Sequence, residues 1–240
     1  MKLGKFLAEA GVDSRRRSKE LVSAGEVKVN GQVITAPATH IDPEEDIVEV
    51  AGRRVLLDVE KIYILLNKLP GYLSTTTDPH GEQTVLDLLP PMNKRIYPVG
   101  RLDKDTEGLL LLTNDGALTY RLTHPKHHVD KVYLAWVTGN PTNESLEELR
   151  RGIMLEDGMT SPASVEREKG AGGSCLRIII HEGRKRQVKR MCNAIGHTVQ
   201  RLKRIQVGPI HLGDLRPGHY RYLSQEEIDA LKQSEDERKT

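Results

Sequence analysis

The sequence predicts an α+β protein in two parts: a small N-terminal module of two helices and a hairpin, then a larger domain of buried strands interleaved with helices. Three observations predict it. Within the first 34 residues, apolar residues recur twice at helical spacing and then alternate around Asn30-Gly31. Beyond residue 61 they come in short runs, Ile62–Leu66, Leu109–Leu112, Val132–Val137 and Cys175–Ile180, of the length of buried strands. Helical stretches, notably 144–151 and 184–195, lie between those runs, and no tandem repeat is apparent.

Taken in order, Leu3, Phe6, Leu7 and Ala10 share one face of the first helix, and Gly11 ends it. Ser14 is the N-cap of a second helix that carries Leu21 and Val22 and is closed by Gly25. Val27 to Ile34 alternates around Asn-Gly, the pair that best tolerates the left-handed conformations of a two-residue hairpin turn. After an acidic loop at 42–46, Ile47–Val50 reads as a further strand. The module with its linker (51–60) therefore spans residues 1–60, and the larger domain 61–232. Ser224-Gln225-Glu226-Glu227 opens the last helix as a capping box, and 233–240 is an acidic tail expected to be flexible.

Composition excludes several classes. With 37% hydrophobic and 29% charged residues in 240, the chain is neither fibrous, nor a disulfide scaffold, nor wholly disordered. One Phe and one Trp leave the core to Leu, Ile and Val. No stretch approaches the roughly 18 apolar residues of a membrane-spanning helix. The N-terminus leads into an amphipathic segment, without the apolar core of a signal peptide. Cys175 and Cys192 form no framework and no metal-type pair. A reduced, cytoplasmic protein is expected. His124-x-x-His127-His128 lacks the Glu of a His-Glu-x-x-His helix and sits beside Pro125, so a surface loop is expected there, not a metal site.

The net charge of only +2 hides a segregated distribution. Arg15, Arg16 and Arg17 occupy the start of the second helix. Arg184, Lys185, Arg186, Lys189, Arg190, Arg201, Lys203 and Arg204 follow one another with no acidic residue among them, and Arg184–Arg186 are expected to open the helix running to Ile195. Helix N-termini already carry positive partial charge, so clustered cations there point to bound anions. Two such clusters in different modules point to nucleic acid.

Phe6-Leu7-Ala8-Glu9-Ala10-Gly11, Ser14-Arg15-Arg16 and Gly25-Glu26-Val27-Lys28-Val29-Asn30-Gly31 together resemble the αL RNA-binding domain, the S-four-type module of ribosomal proteins. The resemblance covers the first 50–60 residues. It implies binding to structured RNA through shape and phosphates, with Arg15, Arg16, Arg17 and Lys28 as contacts.

The densest motif runs from Gly100 to Gly116: Gly-Arg-Leu-Asp-Lys-Asp-Thr-Glu-Gly-Leu-Leu-Leu-Leu-Thr-Asn-Asp-Gly. A carboxylate on a loop leading into a buried strand is held firmly, which suits a nucleophile. Asp-Lys-Asp-Thr is one residue short of the aspartyl-phosphate phosphatase pattern and precedes its strand, where that pattern follows one. The segment instead resembles the catalytic segment of the bacterial pseudouridine synthases of ribosomal RNA, the RsuA family. Lys131-Val132-Tyr133-Leu134, Glu182-Gly183-Arg184-Lys185-Arg186-Gln187-Val188-Lys189-Arg190-Met191, Asn67-Lys68-x-Pro70-Gly71 and Pro217-Gly218 match in the same order. Gly71-Tyr72-Leu73-Ser74-Thr75-Thr76-x-Asp78-Pro79-His80-Gly81 looks most like the branch acting on large-subunit RNA.

That resemblance implies a mixed, mostly antiparallel sheet flanked by helices, an isomerisation of uridine to pseudouridine, and no metal or other cofactor. It implies Asp103 as the catalytic aspartate, Tyr133 as the face and hydroxyl for the flipped base, and Arg184 as the cation offsetting Asp103. Arg101 is placed to fill the gap left in the RNA, and Lys185, Arg186, Lys189 and Arg190 to grip phosphates. The partner expected is a structured ribosomal RNA stem-loop, bound by a monomer with no membrane association. A non-catalytic RNA-binding or ribosome-assembly factor is the alternative, since the N-terminal module and the basic segment alone would serve it.

Overall fold

The structure, a computed structural model, describes residues 1–57, 60–168 and 174–233. The expected tail beyond 233 lies outside the described residues. Two compact units are present, the first formed by Met1–Ile62 with Met92–Ile96 and Asn114–Gly116, the second by the remainder. The two later segments were not foreseen from a division at residue 60. Asn114 explains part of this: its side chain accepts from the Ile62 amide (2.9 Å) and donates to the Glu60 carbonyl (3.0 Å).

In the first unit, α1 (Leu3–Glu9) and α2 (Arg15–Ser23) precede β1 (Val27–Val29) and β2 (Gln32–Val33). Leu3, Phe6, Leu7, Val22, Val27, Ile41 and Val48 form its core. Ser14 Oγ accepts from the Arg17 amide at 3.2 Å, capping α2 as its sequence predicts. Asn30 and Gly31 both have positive φ, +51° and +80°, which the hairpin turn needs. The Asn30 side chain also ties the acidic loop down, donating to Asp46 (2.7 Å) and accepting from the Ile47 amide (2.9 Å). The predicted linker at 51–60 is corrected in its first half. Ala51 and Gly52 turn the chain back, so that β3 (Val48–Val50) pairs with β4 (Arg53–Val55) in a sheet of order β2-β1-β3-β4.

The second unit is built on β5 (Tyr63–Lys68), β6 (Tyr97–Pro98), β7 (Glu107–Thr113), α3 (Gly116–Thr123), β8 (Lys131–Val137), α4 (Asn143–Arg151), β9 (Met154–Leu155), β10 (Gly158–Met159), β11 (Ser164–Arg167), β12 (Cys175–Ile180), α5 (Gln187–Ala194), β13 (Val199–Val207), β14 (Ile210–His211), β15 (Tyr220–Tyr222) and α6 (Gln225–Gln233). Its main sheet has the order β11-β12-β8-β13-β7-β5-β15, with β14 on β13 and β6 on β7. Every pairing is antiparallel except β13 with β7, so the sheet is mixed and mostly antiparallel. Leu118 and Leu122 of α3 and Leu231 of α6 pack with Leu65, Leu109 and Leu111. Ser224 and Glu227 form the expected capping box, each side chain accepting from the other's amide.

Two elements differ from expectation. The helix read over 184–195 is Gln187–Ala194, preceded by Arg186 in a left-handed conformation (φ +52°). Arg184–Arg186 thus lie ahead of the helix rather than in its first turn. The Gln187 side chain holds that bend, accepting from the Arg184 amide at 3.1 Å. The nine-residue β13, at the middle of the sheet, was read only as part of a basic segment. Its parallel approach to β7 needs Gly108 (φ +103°): a Cβ there would sit 2.2 Å from the Arg204 carbonyl oxygen.

Candidate active site

Asp103 sits on the loop between β6 and β7, and that loop is fixed from below by a buried lysine. Lys68, the last residue of β5, is 0% exposed. Its ammonium donates to the carbonyls of Leu69 (2.9 Å), Asp103 (3.2 Å), Lys104 (3.2 Å) and Thr106 (2.8 Å). Burial pushes its pKa down to about 8, and the charges of Asp105 and Asp103 oppose that shift. Lys68 thus sets a buried cation beneath this loop. Ser74 adds a second clamp, its hydroxyl donating to the Leu102 carbonyl (2.8 Å) and accepting from the Leu102 amide (3.1 Å). The Gly71 amide reaches the Lys104 carbonyl at 2.7 Å.

Above the loop opens a cavity of about 780 Å³ lined by Arg101, Asp103, Lys104, Lys131, Tyr133, Arg184, Lys185, Arg186 and Arg204, with apolar walls from Leu102, Leu111, Ile180 and Leu202. The structure thus brings together Arg101, Asp103, Tyr133, Arg184, Lys185 and Arg186. Tyr133 belongs to β8 and Arg204 is its direct partner on β13. Arg101, Lys185 and Arg186 are exposed at the cavity's edge, while Asp103 and Arg184 are half-buried.

Three predicted residues stand differently. Arg184 does not pair with Asp103: its guanidinium donates to Glu182 (3.3 Å) and to the carbonyls of Gly158 (2.9 Å) and Met159. Those acceptors belong largely to the β9–β10 hairpin backbone, which side-chain types do not reveal. Lys189 is buried, and its ammonium lies 2.5 Å from Asp105 Oδ1 on the same loop as Asp103. The hydrogen bond from Lys189, with its charge, holds the Asp105 carboxyl below its usual range. Arg190 makes a bidentate pair with Asp157, both bonds at 2.9 Å. Lys189 and Arg190 are thus committed within the protein, and neither is a free phosphate contact.

In the first unit, Arg15, Arg16, Arg17 and Lys28 are all exposed. Arg16 and Arg17 share Glu20, at 3.0 and 3.2 Å, with the Arg16 side chain 92% exposed. Such solvated pairs hold little energy and yield readily to a phosphate.

Lys68, Lys131 and Arg204 are the site residues to which the sequence assigned no role. The available signal was a lone charge closing an apolar run at 63–68, and cations set among the apolar residues of 199–207; long cations at such positions are buried only with partners.

A carboxylate loop clamped under a cation-lined cavity, in a chain that also carries a small module with exposed arginines, is the arrangement expected of an enzyme that acts on RNA. Comparison with known proteins agrees. Residues 62–194 match the family model described as RNA pseudouridylate synthase, and residues 1–47 match the S4 domain. An RNA pseudouridine synthase of Aquifex aeolicus (strain VF5), itself uncharacterized, is 46% identical over 96% of this chain and 93% of its own. Ribosomal large subunit pseudouridine synthase B of Bacillus subtilis (strain 168) is 44% identical over 96% of this chain and 95% of its own. A crystal structure of a pseudouridylate synthase superposes with a TM-score of 0.71 at 33% identity, covering 96% of this chain and 99% of that one. The chain belongs to the RNA pseudouridine synthase family.

Proposed function

We propose that this enzyme isomerises a specific uridine of large-subunit (23S) ribosomal RNA to pseudouridine, with Asp103 as the catalytic carboxylate. The observation that carries the reading is Asp103 itself, half-buried on a clamped loop in the same cavity as Tyr133. The target base leaves the RNA stack and enters beside the Tyr133 ring. The bond between uracil N1 and ribose C1′ breaks, and C5 of the turned base bonds C1′. C5 releases its proton and N1 takes one up, so atoms and charge balance without a cofactor. Arg101 at the rim occupies the space the base has left, and Lys185 and Arg186 hold flanking phosphates. One protomer supplies every residue in this scheme.

The similarity to the Bacillus subtilis enzyme and the Gly71–Gly81 segment support the large-subunit assignment. Mapping pseudouridines in ribosomal RNA from cells with and without the protein tests it: one large-subunit site is expected to disappear. Loss of a small-subunit site, or of none, overturns it.

The N-terminal arginines make a second expected result. Replacing Arg15, Arg16 and Arg17 by Ala weakens RNA binding and flattens its logarithmic salt dependence by about 0.7–0.9 per lost phosphate contact. Titrations between low and moderate salt measure this slope, and an unchanged slope removes these residues from the interface.

A further inference from the structure

Lys131, Tyr133 and Arg204 stand together on one face of the sheet. Lys131 and Tyr133 are two residues apart on β8 and so share a face, and Arg204 lies directly across from Tyr133 on β13. All three line the cavity that holds Asp103. Arg204 is only 5% exposed; its Nε donates to the Leu109 carbonyl at 2.8 Å, and its two terminal nitrogens have no acceptor among the described residues. The Lys131 ammonium donates to the carbonyls of Val129 (2.8 Å) and His181 (3.4 Å), which leaves it one hydrogen. Burial and the neighbouring Arg204 charge push Lys131 down to about 8, and Asp130 opposes the shift only in part.

Two cations close enough to repel, both facing a cavity, are costly unless an electron-rich oxygen comes between them. An RNA phosphate does not suit this place. The backbone stays at the mouth when a base is flipped, where Arg101, Lys185 and Arg186 are exposed to meet it. What reaches the wall beside Tyr133 is the base.

We propose that Lys131 and Arg204 jointly hold one carbonyl oxygen of the target uracil and stabilise the negative charge the ring gains during the reaction. This deepens the reading of the chain as a pseudouridine synthase and rests on it. When the N1–C1′ bond breaks, its electron pair leaves with the base and spreads over N1 and the carbonyl oxygens, while the Asp103 carboxylate matches the electron-poor C1′. Two charged donors in a desolvated wall hold that charge without rearranging. The pair returns to C1′ through C5, after which C5 loses its proton and N1 gains one.

The test combines enzyme variants with RNA substrates whose target is uridine, 2-thiouridine or 4-thiouridine, since sulfur accepts hydrogen bonds weakly. In the wild-type enzyme, sulfur at one of the two positions is expected to slow single-turnover isomerisation by about tenfold. Lys131→Met is expected to slow the uridine reaction by about 10- to 100-fold with KM within about threefold, and to lose most of the sulfur effect. Lys131→Arg restores the rate. Arg204→Lys keeps the charge but moves the donors, and gives the same reading if Lys131→Met does not fold. Sulfur effects equal in wild type and variants, or a loss confined to KM, overturn the proposal. A wild-type enzyme that forms no pseudouridine overturns the underlying reading instead.

Discussion

Asp103→Asn is expected to abolish pseudouridine formation, lowering the single-turnover rate by about 10⁴-fold or more while RNA affinity stays within about threefold. Asparagine keeps the shape and the backbone bonds of the loop, including the Asp103 carbonyl that accepts from Lys68 and from the Thr106 amide (3.0 Å). It removes only the negative charge. Rate and affinity separate because the groups available to RNA are different residues: Arg101, Lys185 and Arg186 at the cavity rim, Arg15 to Arg17 in the first unit. Single-turnover assays with a matched binding titration measure both. Wild-type activity in this variant removes Asp103 from the chemistry, and a parallel loss of binding makes it an RNA contact instead. Asp105→Asn is the internal comparison. It cuts the Lys189 pair two residues away but leaves the Asp103 carboxylate in place, so a smaller loss is expected.

Lys68→Met is expected to destabilise the protein by about 3 kcal/mol and to slow catalysis by about 100-fold. The methionine fills most of the volume but removes the donor shared by four carbonyls; those of Asp103 and Lys104 keep the Thr106 and Gly71 amides, while those of Leu69 and Thr106 lose the ammonium. Leaving buried acceptors unpaired costs about 1–3 kcal/mol each, reduced where the loop relaxes. That relaxation is what displaces Asp103, and a shift of about 1 Å in a reacting group is enough for the rate loss. For a chain of this size, thermal melting is expected to fall by about 6–12 °C. A variant that melts like the wild type yet loses the rate would give Lys68 a chemical role beyond holding the loop. One that keeps both would show that water or a neighbour replaces it.

The first unit was legible because its determinants are local: a cap three residues from the amide it satisfies, a two-residue turn, and apolar positions one helical turn apart. In the second unit the strands that read as unbroken apolar runs were found, and β13 was not. Register shifts between Val199 and Arg201 and between Arg204 and Gln206 break the alternation that marks a strand. The members of the active-site cavity were legible as motifs; their partners were not. Lys68 and Arg184 bind mainly backbone carbonyls, which every residue carries, so nothing in the side-chain pattern singles them out. Lys189 shows the converse. Its membership of a basic run suggests RNA, and only the fold discloses that Asp105 already lies against it.

The one parallel pairing of the sheet also sets a timetable. Lys203 stands opposite Glu107, nearly a hundred residues earlier, and β13 joins β8 to β7 across the middle of the cavity wall. While the chain is emerging from the ribosome, Asp103 and Tyr133 are made long before the strand that brings their walls together. Contacts so distant in sequence close slowly and last. The N-terminal core, by contrast, uses among the described residues none beyond Leu57. A nascent chain therefore holds the core residues of its RNA-binding module early, and completes its reaction chamber only when residues near 204 have been added.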